Sequence, residues 1–336
     1  MSKELKLIGF LIFSLLFSGY FFMDLKSHYP TSLGSLISLV LFSLPTIYFL
    51  KNWSGPKKTL LTLIGLSIFA IIVETIGVKT GIPYGQFHYS QLMGRLLFDL
   101  VPWTLPLAWV PLVLGSVAIA KLRFIKFWPT ILGSTLLLVI ADLVLDPGAV
   151  AAGLWVWRDS GVYYGVPLTN FLGWIVSGSL GSALAYWVLF KDNPQVAIPV
   201  RISYSALLTI VFWTGVGLKL GMLIPVLAGF IWAGLVIAAI IYYGRLSGEY
   251  VVLVDEHNQV IGTAPKLDTH NQNTPLHRAF SIFMFNTQGK VLLQQRAWTK
   301  KTWPGVWSNS CCGHLWLHES PEVAAQRRTK YELGIG

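Results

Sequence analysis

The chain has 336 residues, of which 54% are hydrophobic and only 12% charged, a balance too apolar for an ordinary soluble protein. Its formal charge of +10 invites a nucleic-acid reading, yet +8 of that charge falls within residues 1–248, in the connections between apolar runs, and no basic stripe with interleaved aromatics accompanies it. A nucleic-acid surface is thereby excluded, and the only two cysteines, the adjacent Cys311 and Cys312, exclude a structural disulfide framework and fit a reducing compartment.

In chain order, apolar runs long enough to cross a hydrocarbon core of about 30 Å stand at residues 7–23, 33–50, 60–76, 101–120, 127–145, 168–190, 202–218 and 223–243. The pattern predicts a polytopic all-α membrane domain of about eight transmembrane helices over residues 1–245, with the lipid bilayer as its solvent. The first run lacks a small-residue cleavage site and reads as a retained anchor. The last two are separated only by Lys219 to Gly221, so they form either two helices around a tight turn or one interrupted segment. Lys and Arg accumulate in cytoplasmic loops. With the N-terminus inside, eleven of them fall on inner connections and five on outer ones. An even number of spans then places both the N-terminus and the polar C-terminal region in the cytoplasm of an integral membrane protein of the cell membrane.

Ionisable groups inside spans are costly and therefore functional candidates. Glu74, Asp99, Asp142 and Asp146 qualify, and all four are expected at the outer level. They share it with two Gly-, Pro- and aromatic-rich connections, "ETIGVKTGIPYGQFHY" (residues 74–89) and "LDPGAVAAGLWVWRDSGVYYGVPLTNFLGW" (residues 145–174). Asp142 and Asp146, spaced i,i+4, point to one helix face, so repulsion between them can keep one protonated. The plainer reading is that Asp146-Pro147 ends a helix, that Glu74 reaches the interface, and that the aromatics form a membrane belt.

The two connections resemble the integral-membrane carotenoid biosynthesis proteins, a family that includes carotenoid 1,2-hydratases, and the likeness covers most of residues 1–245. It implies addition of water across the terminal double bond of an acyclic carotenoid. Such a step needs a carboxylic acid to protonate the alkene, apolar and aromatic walls around a tertiary cation, and a positioned water. Glu74, Asp142 and Asp146 are the candidate acids, and sequence does not say which one donates.

From Glu249 onward polar and apolar residues alternate. Short strands ("YVVLVD", "VIGTAP", "AFSIFMFN", "KVLLQQRA") are divided by polar turns, and a helix opens at Ser320-Pro321-Glu322, where Ser caps and Pro suits the first turn. Three histidines, His270, His277 and His314, precede or interrupt segments that a compact sheet can bring together, and three imidazoles suit a divalent transition metal. His257 and His318 read as surface residues.

"KLDTHNQNTPLHRAFS" and "QQRAWTKKTWPGVWSNSCCGH" resemble type I isopentenyl-diphosphate isomerase, and "GHLWLHESPEVAAQRRTKYELGI" resembles that family's degenerate Nudix box. The expected architecture is thus the membrane domain followed, over residues 249–336, by a partial α+β Nudix-like domain. The resemblance implies that His270, His277 and His314 bind a catalytic metal such as Zn or Mn, and that Cys312 is an acid/base at the allylic carbon. It further implies that Lys266, Arg296 and Lys300 hold the diphosphate of isopentenyl or dimethylallyl diphosphate, and that Glu332 helps hold a Mg ion. Trp307 is expected to wall the transient cation, and Cys311 to be a small buried residue. Arg327 and Arg328 stand where a hydrolytic box would carry Arg then Glu, which argues against diphosphate hydrolysis.

Isomerases of this family continue for about as many residues again, including two further metal-binding glutamates, so the sequence reads as a truncated gene product or fragment. An unfinished sheet is expected to expose apolar surface, and the chain as written to lack isomerase turnover. Three other readings stand beside a bifunctional fusion: a membrane scaffold anchoring an isomerase remnant, a membrane-tethered Nudix phosphohydrolase, and a transporter, the last without a visible half-and-half repeat.

Overall fold

The computed structural model describes residues 3–26, 32–192, 194, 198–246, 250–269, 273–299, 303–316 and 319–335. The chain divides into two units, one of residues 1–194 and 198–240 and one running from residue 241 to 336. Eight helices account for the membrane part: α1 (Lys3–Lys26), α2 (Ser32–Ser54), α3 (Pro56–Thr80), α4 (Leu105–Arg123), α5 (Phe127–Ala151), α6 (Leu168–Phe190), α7 (Tyr204–Lys219) and α8 (Leu223–Leu246). With the 3-10 turn Val200–Ser203 counted into α7, all eight are long and apolar enough to cross a membrane, and they fall on the eight expected runs. Large apolar side chains stay exposed on their outer faces, among them Phe13 at 69%, Leu132 at 66% and Leu172 at 60%. A helical surface of that kind faces lipid, because the helices satisfy their own backbone groups. Between α7 and α8 the chain breaks: Met222 N–H donates to the Gly217 carbonyl at 2.9 Å and Gly221 takes φ +67°, so these are two helices around a tight turn.

Small residues let the helices meet at backbone distance. A β-carbon on Gly215 of α7 would overlap the Leu16 carbonyl of α1, and one on Gly19 would overlap the Phe212 carbonyl. Hydroxyls supply the polar links: Ser134 to Ser182 at 2.8 Å and Thr135 to Ser179 at 2.9 Å tie α5 to α6. Pro45 interrupts the ladder of α2, and next to it the Thr46 N–H donates to Ser205 Oγ at 2.9 Å.

Two local features differ from the expectations. The helix expected to end at residue 145 continues through Pro147 to Ala151. A proline has no N–H for the carbonyl four residues back, here Leu143, and the Tyr163 hydroxyl donates to that carbonyl instead at 2.9 Å. Asp99 does not join the other acids. It is exposed, in the turn of a hairpin between β2 (Leu96–Leu97) and β3 (Val101–Pro102), where Phe98 and Asp99 both take positive φ, 54° and 58°. Such turns suit the twist of a two-stranded ribbon and accommodate aspartate.

The two long connections meet in a ribbon. β1 (Phe87–Tyr89) pairs antiparallel with β4 (Trp155–Trp157), in the register Phe87 to Trp157, His88 to Val156 and Tyr89 to Trp155. Alternation turns Phe87, Tyr89, Trp155 and Trp157 inward and leaves His88 and Val156 exposed.

In the second unit β5 (Tyr250–Val254) and β6 (Val260–Pro265) form a hairpin, followed by the short α9 (Lys266–Thr269). The segment around His277 runs beside β5, with Arg278 N–H donating to the Val252 carbonyl at 2.9 Å. It leads into β7 (Ala279–Ile282); β8 (Gln294–Gln295) and β9 (Trp307–Ser308) pair with each other, and β10 (Cys311–His314) pairs antiparallel with β7. α10 (Pro321–Leu333) starts as expected: the Ser320 hydroxyl accepts the Val323 N–H at 3.4 Å. Phe283, Phe285, Trp298 and Trp303 are exposed by 58%, 66%, 76% and 75%.

Strand alternation sends the two cysteines to opposite faces of β10. Cys311 is 1% exposed and its thiol donates to Glu332 Oε2 at 3.1 Å, while Cys312 is half-buried. Burial, and then the Glu332 carboxylate, push the Cys311 thiol up to about 12.

Two outcomes are expected. Gly215→Val overpacks the α1–α7 contact and destabilises the detergent-solubilised protein by roughly 1–3 kcal/mol, read as a lowered midpoint of thermal unfolding; an unchanged midpoint would refute the close approach. At pH 8, iodoacetamide alkylates Cys312 first, because the Cys311 thiolate forms only when the pH climbs toward about 12. Peptide mass spectrometry showing Cys311 modified first would contradict the assignment of faces.

Candidate functional site

Three of the four acids converge. Glu74, near the end of α3, and Asp142 and Asp146, one turn apart on α5, are 5%, 2% and 4% exposed. Charges at such depth need partners, and each has one. Tyr89 on β1 donates its hydroxyl to Glu74 Oε2 at 3.0 Å. Asn170, in the first turn of α6, spreads the two protons of one amide over both aspartates, donating to Asp142 Oδ2 at 2.8 Å and to Asp146 Oδ2 at 2.5 Å. Burial first, then the Glu74 charge, hold the Tyr89 phenol well above its ordinary range, so it acts as a donor.

Glu74 and Asp146 line a cavity of about 900 Å³, together with Asn170, Tyr84 and Tyr89. Its remaining wall is largely aromatic and aliphatic and includes Phe87, Trp109, Trp155, Trp157, Trp174 and Trp213. Asp142 lies behind this wall, and one of its oxygens, Oδ1, has no hydrogen-bond partner among the described residues. Stacking and edge contacts brace the aromatics: Phe87 to Trp157 with centroids 4.9 Å apart, Trp109 to Trp174 at 6.4 Å. Chemically this is a largely apolar chamber with two carboxyl groups on its wall, a setting in which a carboxylic acid can protonate a weak base and an aromatic face can stabilise a cation. Sequence reading located Glu74, Asp142 and Asp146 but missed Tyr89, Asn170 and Tyr84. The tyrosines sit inside the motif at residues 74–89; Asn170 carried no signal, because an asparagine in the first turn of a helix reads as an ordinary cap.

In the second unit the structure brings together some of the expected residues. His314, two residues beyond Cys312, shares its face of β10, and the His314 and His277 rings lie 5.2 Å apart between centroids. The Nδ1 of His277 faces the Pro275 carbonyl at 2.8 Å. A carbonyl only accepts, so Nδ1 carries the proton and the lone pair of a neutral ring falls on Nε2, as in histidines whose second nitrogen orients a metal ligand. His270 and Lys300 lie outside the described residues. Among the described residues no three His, Cys, Asp or Glu side chains gather closely enough to hold a metal ion.

Glu332 approaches β10 from the opposite face: it accepts the Cys311 thiol at 3.1 Å and pairs with Arg328, whose Nε also donates to the Cys312 carbonyl at 3.2 Å. Arg296 donates its Nε to the Trp303 carbonyl at 3.2 Å. Lys266 is half-buried on α9. Trp307, the expected wall of a cation pocket, is 63% exposed on β9. A contact that sequence reading did not anticipate fixes the loop after β10: Arg327 grips Glu319 with two hydrogen bonds, at 2.6 and 2.8 Å, and stacks over Trp316 at 4.1 Å.

Comparison with known proteins separates the same two parts. Residues 275–336 match the NUDIX domain family. The C-terminal region is 53% identical over 87 residues to an isopentenyl-diphosphate Delta-isomerase of Corynebacterium diphtheriae, covering 26% of this chain and 48% of the relative. Against an isomerase of the same description from Streptomyces avermitilis it is 58% identical over 92 residues, 27% of this chain and 47% of the relative. The chain therefore spans about half the length of the curated relatives it matches. Both parts place it in isoprenoid and carotenoid biosynthesis, with an isomerase-like module after the helices. Residues 32–236, more than half of the chain, match the family described as carotenoid biosynthesis protein, and with its membrane helices and enclosed acids the chain belongs to that family.

Proposed function

We propose that the membrane unit adds water across the terminal carbon–carbon double bond of an acyclic carotenoid, and that the C-terminal module binds isopentenyl or dimethylallyl diphosphate for isomerisation. The observation that carries the first reading is the pair of carboxyls, Glu74 and Asp146, on the wall of an aromatic cavity of about 900 Å³. Asp142 and Asp146, drawn together on one amide, share a proton at lower cost than they carry two charges. Asp146, the member that reaches the cavity, is the acid that protonates the alkene. The tertiary cation so formed rests against the indole and phenol faces, and Glu74, held by Tyr89, accepts the proton that the adding water releases. Asp142 is a positioning residue. The excess of Lys and Arg on one set of connections supports a reading in which the N-terminus and the C-terminal module are cytoplasmic.

For the module, His277 and His314 fit two positions of an imidazole set, with His270 as the third, that would hold a divalent transition metal such as Zn or Mn. Once bound, such an ion supplies fixed positive charge beside an anionic substrate. Lys266, Arg296 and Lys300 would neutralise the diphosphate, Glu332 would help hold a Mg ion, Cys312 would exchange a proton at the allylic carbon, and Trp307 would cover the prenyl group. The resemblance of this region to isomerases supports these roles, and the 5.2 Å approach of the two rings is the geometry behind them.

In cells that make an acyclic carotenoid, the full chain is expected to yield a product heavier by one water. Glu74→Gln and Asp146→Asn each reduce that product by about 100-fold or more, the usual worth of a general acid or base, and Asp142→Asn by less. Undiminished hydrated carotenoid in both of the first two variants, by chromatography with mass spectrometry, would reject the hydratase reading in favour of a scaffold. For the module, His277→Ala and His314→Ala are expected to weaken Mn²⁺ binding to the full chain by more than about tenfold, measured by calorimetry in detergent; unaltered binding would reject the metal assignment.

A further inference from the structure

Tyr84 leads from α3 toward β1, and its ring is held on both sides. A β-carbon on Gly77 of α3 would stand 2.7 Å from ring Cδ2, and one on Gly173 of α6 would overlap the other edge. The backbone is fixed as well, because the Thr169 hydroxyl donates to the Tyr84 carbonyl at 3.0 Å. The side chain is 1% exposed and lines the cavity beside Glu74 and Asp146. Its hydroxyl interacts with the Glu74 carboxylate and the Ser177 hydroxyl, yet meets neither at the distance and angle of a formed hydrogen bond, nor any other partner among the described residues.

A buried hydroxyl left without a partner costs about 1–3 kcal/mol, so a slot built this tightly around one points to a ligand atom that completes it. Burial, and after it the Glu74 charge, hold the phenol far above its ordinary range, which keeps it a donor. The indole N–H groups of Trp109 and Trp157, which line the same cavity, likewise have no partner among the described residues, and an indole nitrogen only donates. A hydrocarbon chain offers such donors nothing. An oxygen atom does.

We propose that the Tyr84 hydroxyl holds the water molecule that adds to the carotenoid, a role that rests on the hydratase reading above. Asp146 transfers its proton to the CH carbon of the terminal double bond, the π pair forms the new C–H bond, and the dimethyl-bearing end carbon becomes a tertiary cation. The water, positioned by its hydrogen bond from Tyr84, gives a lone pair to that carbon and forms the C–O bond. Its excess proton passes to the Glu74 carboxylate, and return of a proton from Glu74 to Asp146 restores the starting state. The sum is alkene plus water to tertiary alcohol, with no change of redox state.

The test uses Tyr84→Phe in the full chain, in membranes of cells making an acyclic carotenoid, incubated in D₂O beside wild type and Asp146→Asn. Phenylalanine keeps the ring in its glycine slot and removes only the hydroxyl. A cation that forms without its water loses a proton again, so the variant is expected to make at least tenfold less hydrated product while still introducing deuterium into the end group of the recovered carotenoid. Hydration at the wild-type rate in Tyr84→Phe, with Asp146→Asn inactive, overturns the role of Tyr84 and leaves the hydratase reading intact. Loss of both hydration and deuterium entry in Tyr84→Phe also overturns it, since that is the result of a purely structural defect. Hydration that persists in Asp146→Asn removes Asp146 as the acid and this inference with it; undiminished hydrated product in both Asp146→Asn and Glu74→Gln removes the hydratase reading as well.

Discussion

Three carboxyl groups enclosed among apolar helices set the terms for the rest of the membrane unit. An uncompensated charge at such depth costs several kcal/mol, and here each acid is met by a neutral donor, with no ion pair to a cation among the described residues. Tyr89 serves Glu74, and a single amide, that of Asn170, serves Asp142 and Asp146. Neutral donors stabilise a carboxylate without fixing it as an ion pair, so a proton can come and go. Each partner in turn needs its own support. The β1–β4 ribbon aims Tyr89 inward by strand alternation, and the first turn of α6 brings Asn170 across to α5.

The parts of this arrangement that sequence revealed and those it hid differ for physical reasons. Spanning helices were legible because lipid demands about twenty consecutive apolar residues, and the eight runs became eight helices. The two conspicuous connections were legible as motifs, but not their pairing: three residues of alternation, Phe87 to Tyr89, carry no period to detect. Asp99 resembled the other acids in its place along the chain and was separated from them only by the φ +58° turn that exposes it. Asp146-Pro147 looked like a helix end, since sequence alone cannot show that a hydroxyl sixteen residues beyond the proline replaces its missing donor.

In the C-terminal module the reverse held. The β5–β6 hairpin, the start of β7, the Ser320 cap and the burial of Cys311 were readable from local chemistry and are present, whereas β9 and β10 were not legible as strands and only Gln294–Gln295 of the fourth expected strand is one. What local chemistry did not disclose was the partition of side chains between the two faces of β10. His314 and Cys312 share one face with His277 close by, whereas Cys311, Glu332 and Arg328 crowd toward the other. The Arg327–Glu319 contact, with the Glu319 side chain 2% exposed, explains why two consecutive arginines stand in this helix: one clamps the loop behind the strand and the other reaches the strand itself.

The bond from Tyr163 to the Leu143 carbonyl joins a surface connection to the helix that carries two of the acids. A loop ordinarily opens at far lower free energy than the bundle beneath it. Here, fraying of residues 152–167 would leave the Leu143 carbonyl without its donor within one turn of Asp142 and Asp146, which couples the covering segment to the acid-bearing helix. Slow amide hydrogen exchange should extend from the bundle into that connection, and local melting there would blur the alignment of the carboxyls before any helix left its place.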